Sequence, residues 1–211
     1  MVSLVIPNYT TTPENVKLME RCLDSLKYGR PDEVIVVDDG SPLKCDYSLA
    51  DTVITLSENQ GYTVATNIGL KAATGDIIII GNSDLTFTPG WLEGILLPLE
   101  EGCDVSSIVT SDQGYMTAKE ITIGDRFGSC WAITRRVLDE VGLLDESLGR
   151  GYFTDTDYYM RLTEGNYRIG KNWGALVEHE GSAVFKAIDP ENKSYFVSRE
   201  RFKKKYHGLV I

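Results

Sequence analysis

Residues 33–41 read Glu33-Val34-Ile35-Val36-Val37-Asp38-Asp39-Gly40-Ser41. An unbroken β-branched run fits a strand covered on both faces, and it stops on two carboxylates and a turn-forming glycine. Val2–Ile6 repeats the design, running into Pro7-Asn8-Tyr9, and so does Ile77–Ile80, running into Gly81-Asn82-Ser83-Asp84. Thr52–Leu56 is a further short strand. Helical periods lie between them. Thr12 offers an N-cap, Pro13 the first helical position and Glu14 a first-turn carboxylate, and Val16, Met19, Leu23 and Leu26 recur at helical spacing up to Gly29. Val64–Ala73 sets Val64, Ile68 and Ala72 inward and ends before Gly75. Strands alternating with helices predict an α/β fold with a mostly parallel, Rossmann-like central sheet flanked by helices.

Working outward, Pro89 opens a helix to Leu99, Val105–Thr110 is a strand, and a Gly- and Ser-containing stretch leads to a helix over Arg135–Glu140. A helix over Asp155–Glu164, a strand over Ala175–Glu178 and a basic helix over Lys193–Tyr206 complete the reading. No repeat or Pro/Ser-rich linker divides the 211 residues, which predicts a single domain over 1–211.

Composition narrows the function. Apolar residues make up 42% and charged residues 25%, the proportions of a folded globular chain rather than a disordered or fibrous one. The net charge of −10 repels phosphate backbones, so no nucleic-acid partner is expected. No apolar run approaches the roughly 20 residues of a membrane span. Cys22, Cys45, Cys103 and Cys130 are far apart, as reduced thiols of a cytoplasmic protein would be.

Ligands of open α/β sheets gather at the carboxyl ends of the strands. Each polar end here reads by itself as an ordinary turn or cap; their coincidence on neighbouring parallel strands favours a site. A phosphoacceptor receiver module is excluded because Ser57-Glu58-Asn59 follows the third strand. A dinucleotide oxidoreductase is excluded because no GxGxxG follows the first.

The ordered series resembles glycosyltransferase family 2, the inverting GT-A type, in a rhamnosyltransferase-like subgroup. It is carried by Val2–Tyr9, by Val36–Ser41, by Asn59–Asn67 through Asp76, by Asn82-Ser83-Asp84 where the family's DxD belongs, by Gly128–Ile133 with Val141–Glu146, by Thr154-Asp155-Thr156-Asp157 with Arg161, and by Val177-Glu178-His179. The resemblance implies a GT-A fold whose half 1–100 binds a nucleotide-diphosphate sugar and whose half 101–211 binds the acceptor and carries catalysis. It implies donor contacts from Pro7, Tyr9, Asp39, Gly61, Asn67, Asn82, Ser83 and Asp84, with Asp39 accepting from the ring N–H of a UDP or dTDP base. It further implies Mn²⁺ or Mg²⁺ on Asp84 and His179, acceptor contacts from Gly128, Trp131 and Asp157, and Asp155 as general base. Asp157, lying on another helix face, would support the helix by holding a backbone group or a basic residue. The acceptor would be a hydroxyl of a glycan, a lipid-linked sugar or a protein, and the basic C-terminal helix offers peripheral membrane contact. Asn82 and Thr154 stand where the family usually has acids. They leave a nucleotide-sugar-binding relative without activity as the alternative.

Overall fold

The computed structural model describes residues 1–111, 121–181, 189 and 191–207. Strands β1 (Val2–Asn8), β2 (Glu33–Asp38), β3 (Thr52–Thr55) and β4 (Ile77–Gly81) pair in parallel in the order β3-β2-β1-β4. Alternate residues of each strand point to opposite faces. Leu4, Ile6, Val34, Val36 and Ile79 meet Met19, Cys22 and Leu23 of α1 (Pro13–Asp24) on one face. Val5, Ile35, Val37, Ile78 and Ile80 meet Ala65 and Leu70 of α2 (Tyr62–Ala72) on the other. The Thr12 cap holds as expected, its Oγ1 accepting from Asn15 N at 3.2 Å.

Beyond β4 the sheet is mixed. The remaining elements are β5 (Leu85–Phe87), α3 (Trp91–Glu100), β6 (Val105–Thr110), β7 (Ile121–Ile123), β8 (Cys130–Thr134), α4 (Arg135–Val141), α5 (Thr154–Glu164), β9 (Ile169–His179) and α6 (Lys193–Lys205). The sheet continues β4-β8-β6-β9-β5, with β7 also on β9, and β8 runs antiparallel to both β4 and β6. β5, β7 and β8 are absent from the sequence reading, and β9 starts six residues before the expected Ala175. Its first half carries Gly170, Lys171, Asn172 and Gly174, residues poor in strand propensity. Tertiary partners hold it: Asn172 Nδ2 donates to Gly94 O at 2.8 Å and Trp173 Nε1 to Thr122 Oγ1 at 2.8 Å.

The two C-terminal helices are joined by one buried carboxylate. Asp157 on α5 is fully buried and accepts from Arg161 Nε at 2.9 Å, from Tyr206 Oη at 2.8 Å and from Lys205 Nζ. Arg161 in turn donates to Val141 O and Leu143 O, each at 2.9 Å. Lys205 also bonds Asp145 Oδ2 at 2.6 Å; burial opposes ionisation of Asp145, but hydrogen bonds from Lys205 and Ser147 outweigh it and hold the carboxyl down at about 2. Asp157 therefore does not stand with the acceptor contacts. Its place is the supporting one, holding basic residues behind α5. Replacing Asp157 by Ala removes the carboxylate shared by Arg161, Lys205 and Tyr206, and a loss of about 1–3 kcal/mol is expected for those hydrogen bonds, measured as a lower urea midpoint with loss of helical ellipticity.

Candidate active site

The parallel register of β1, β2 and β4 delivers three polar strand ends to one edge of the sheet. Pro7, Asn8 and Tyr9 leave β1, Asp39 leaves β2, and Asn82, Ser83 and Asp84 leave β4; all of these line a cleft of about 650 Å³. Asp39 N donates to Asn8 O at 2.8 Å, which ties the first two ends together.

Asp39 is buried and its carboxylate organises the loop before α2. Oδ1 accepts from Gln60 N at 2.7 Å, and Oδ2 accepts from Asn59 Nδ2 at 2.9 Å and Gly61 N at 2.7 Å. Burial raises its pKa above the ordinary value against the pull of those two backbone N–H groups and of the Arg150 charge. Gly61 is needed at its position: its φ is +101°, and a Cβ there would stand 2.9 Å from the Arg150 Cβ. The close approach seats Arg150 at the cleft wall, where Nη2 donates to Asn59 O at 2.8 Å.

Asp84 meets His179 through a strand register. Leu85 at the start of β5 pairs antiparallel with His179 at the end of β9. This brings His179 Nε2 to 3.3 Å from Asp84 Oδ1, with the side chains 7% and 6% exposed. The imidazole Nε2 also lies 3.2 Å from Ser129 Oγ. Among the described residues no group of three or more His, Cys, Asp and Glu side chains gathers as a metal site. One carboxylate and one imidazole still form a donor set that Mn²⁺ accepts readily and Mg²⁺ accepts through its oxygen, with the other positions left to ligand oxygens and water.

Asp155 occupies the first turn of α5, after Phe153 in the left-handed region at φ 66°. It reaches solvent through the cleft mouth, yet protein crowds it on its other sides. That crowding raises its carboxyl above the ordinary range, opposed by the N–H groups of Thr156 and Asp155 and by the Arg126 charge. Thr154 is buried and donates to Gly151 O at 3.0 Å, closing the turn that starts α5. Tyr62 lines the same cleft, and its phenol is raised by burial and by the fields of both Asp155 and Asp84.

Of the other expected residues, Gly128 and Trp131 line the cleft. Trp131 is 2% exposed, stacked on Phe127 at 4.4 Å and tilted against Tyr158 at 5.4 Å, so it offers the cleft only an edge. Asn67 is a correction. Its Nδ2 donates to Leu144 O at 2.9 Å and Glu146 Oε1 at 2.8 Å, and its Oδ1 accepts from Leu144 N at 3.0 Å. The amide is spent clipping α2 to the 144–146 segment, and Asn67 is not among the residues lining the cleft. The sequence reading missed Tyr62, Arg150, Tyr152, Phe153 and the start of α6, all at the cleft. The one available signal was Gly149-Arg150-Gly151, a cation between glycines just ahead of the Asp155 helix.

Comparison with known proteins agrees with this geometry. The family described as Glycosyl transferase family 2 matches residues 3–137. The glycosyltransferase YwdF of Bacillus subtilis (strain 168) is 26% identical over 200 residues, covering 80% of this chain and 69% of its own. An undecaprenyl-phosphate 4-deoxy-4-formamido-L-arabinose transferase of Pectobacterium atrosepticum is 30% identical over 122 residues, covering 53% of this chain but 37% of its own, so this chain spans only part of such relatives. Among solved structures, S. aureus TarS 1–349 with UDP-GlcNAc superposes with a TM-score of 0.65 at 19% identity, over 95% of this chain and 65% of that one. The mannosyltransferase PcManGT of Pyrobaculum calidifontis, in complex with GDP-Man and Mn²⁺, gives 0.67 at 17% identity, over 100% of this chain and 76% of that one. These likenesses establish the GT-A fold. None of the four is named a rhamnosyltransferase.

The clip made by Asn67 separates support from binding. Asn67→Ala should lower stability by about 1–3 kcal/mol through the buried partners it strands, while calorimetry with UDP should give an unchanged affinity.

Proposed function

Because the chain belongs to glycosyl transferase family 2, we propose that its cleft moves a sugar from a UDP or dTDP donor to a hydroxyl acceptor with inversion at the anomeric carbon. The observation that carries this reading is that the Asp84–His179 pair and Asp155 open on one cleft in different electrostatic settings. Asp84 is paired with an imidazole, while Asp155 is a crowded carboxylate with a raised proton affinity.

Breaking the C1–O bond builds charge on a diphosphate, and a divalent cation held by Asp84 and His179 would supply positive charge there. Asp39 fixes the Asn59–Gly61 loop with three hydrogen bonds, leaving about one of a carboxylate's four acceptor sites for the ring N–H of a uracil or thymine. TarS and PcManGT carry UDP and GDP sugars on the same fold, so fold does not select the base. Asp39 is the group here that would. Asp155 takes the proton of the acceptor hydroxyl as its oxygen attacks C1 on the face opposite the leaving group. Its raised proton affinity suits the task, because a base works best with a pKa near the operating pH. The Arg126 charge opposes that rise.

Asp155→Asn should lower kcat by about 10²–10⁴-fold with little change in donor affinity. The acid limb of kcat/KM should lie above the ordinary carboxylate range. Arg126→Gln should move that limb to higher pH, since losing a cation disfavours the charged base. Normal turnover in Asp155→Asn, or a product of retained configuration, would refute the assignment.

Asp84→Ala should abolish Mn²⁺-dependent nucleotide binding in calorimetry without unfolding the protein. In the same assay UDP or dTDP should bind more tightly than GDP or ADP to the wild type. GDP winning that series would remove Asp39 from base recognition, and donor binding without any transfer would leave the binding-protein alternative standing.

A further inference from the structure

Helix α6 divides into two faces. Ser198 and Phe202 are buried, Lys205 and Tyr206 reach inward to Asp157, and Phe202 lies against Phe153 with ring centroids 5.3 Å apart. The opposite face carries Phe196 and Val197, exposed by 58% and 50%, the only pair of exposed large apolar side chains adjacent in sequence among the described residues. The same helix carries Lys193, Arg199, Arg201, Lys203 and Lys204, with Glu200 as its one acid; Arg201 Nη1 donates to Ser147 O at 3.3 Å and Lys203 lies 3.8 Å from Glu200 Oε1. The helix carries a net +5 in a chain of net −10, so the rest of the molecule stands at −15. Positive charge is thus collected where apolar side chains meet solvent.

The position adds meaning to the charge. Lys193 and Ser194, at the start of α6, line the candidate active-site cleft. Next to Phe196, Tyr195 packs edge-on against the ring of Tyr152 at 5.4 Å and tilts over Phe153 at 5.3 Å, both residues of the cleft wall. The exposed apolar pair therefore sits beside the cleft mouth.

We propose that the outer face of α6 docks on an anionic lipid bilayer, with Phe196 and Val197 entering the headgroup–acyl boundary and Lys203 and Lys204 lying over acidic headgroups. A short apolar contact or a handful of cations binds weakly alone, and the two signals together give stable peripheral attachment. Charge complementarity selects this occupant: two copies meeting through this face would bring like charges together, as a two-fold contact requires. No helix among the described residues is long and apolar enough to cross a membrane, so attachment of this part of the chain would be to the surface. The proposal does not depend on the transferase reading, because its test needs no sugar donor.

The whole chain would be floated with vesicles of phosphatidylcholine alone and of phosphatidylcholine mixed with phosphatidylglycerol, at low and high salt. Flotation is expected only with the acidic vesicles and should fall as salt rises. Phe196→Ser with Val197→Ser, and separately Lys203→Glu with Lys204→Glu, should each weaken partition by about tenfold or more. Circular dichroism melting of the Phe196/Val197 variant should stay unchanged, since both side chains are exposed. No binding to acidic vesicles, equal binding to neutral ones, or unchanged partition in the Phe196/Val197 variant would overturn the proposal. So would a dimer in sedimentation equilibrium that the same variant dissociates, since a second copy would then be the occupant.

Discussion

Four carboxylates, Asp39, Asp84, Asp155 and Asp189, line one cleft, and the surrounding architecture gives the first three different characters. Parallel pairing of β1, β2 and β4 brings Asp39 and Asp84 to the same edge of the sheet, and the start of α5 adds Asp155. Like charges there destabilise one another unless each has its own compensation. Asp39 is met by two backbone N–H groups and the Asn59 amide. Asp84 is met by an imidazole on a strand from the far end of the sequence. Asp155 is met by the N–H groups of its own helix start and by Arg126, and keeps a raised proton affinity. The same side-chain type thus becomes a loop anchor, a donor for a cation and a candidate base.

The parallel half of the fold was legible because its signal is local. Val34–Val37 and Ile78–Ile80 are buried on both faces and so are apolar throughout, whatever they pair with. The mixed half was not. Cys130-Trp131-Ala132-Ile133 is short and follows glycine and serine, and its pairing with β4 depends on residues some fifty positions away. Asn172 and Lys171 become strand residues only because Gly94 O and the neighbouring strands take up their polar groups. Nothing in their immediate neighbourhood reports that.

The site was legible to a similar depth and failed for a related reason. Pro7, Tyr9, Asp39, Asn82, Ser83 and Asp84 line the cleft because topology alone carries strand ends there. Asn67 does not line it: the sequence cannot say which way a buried amide turns, and this one faces Leu144 rather than the cleft. Arg150 was missed because its position depends on Gly61, ninety residues earlier, leaving room for it.

Asp155 and Asp157 show how the two halves of this account connect. Two residues apart on a helix, they point about 200° from each other, so one faces the cleft whenever the other faces the interior. The interior one is held by Arg161, Lys205 and Tyr206, groups drawn from both C-terminal helices. Rotation of α5 about its axis would pull Asp157 from those partners, so the buried clip fixes the direction in which Asp155 points. The same clip seats α6, whose first turn lines the cleft and whose outer face carries the exposed apolar pair. A single buried carboxylate thereby sets the aim of the candidate base and the orientation of the helix at the cleft mouth.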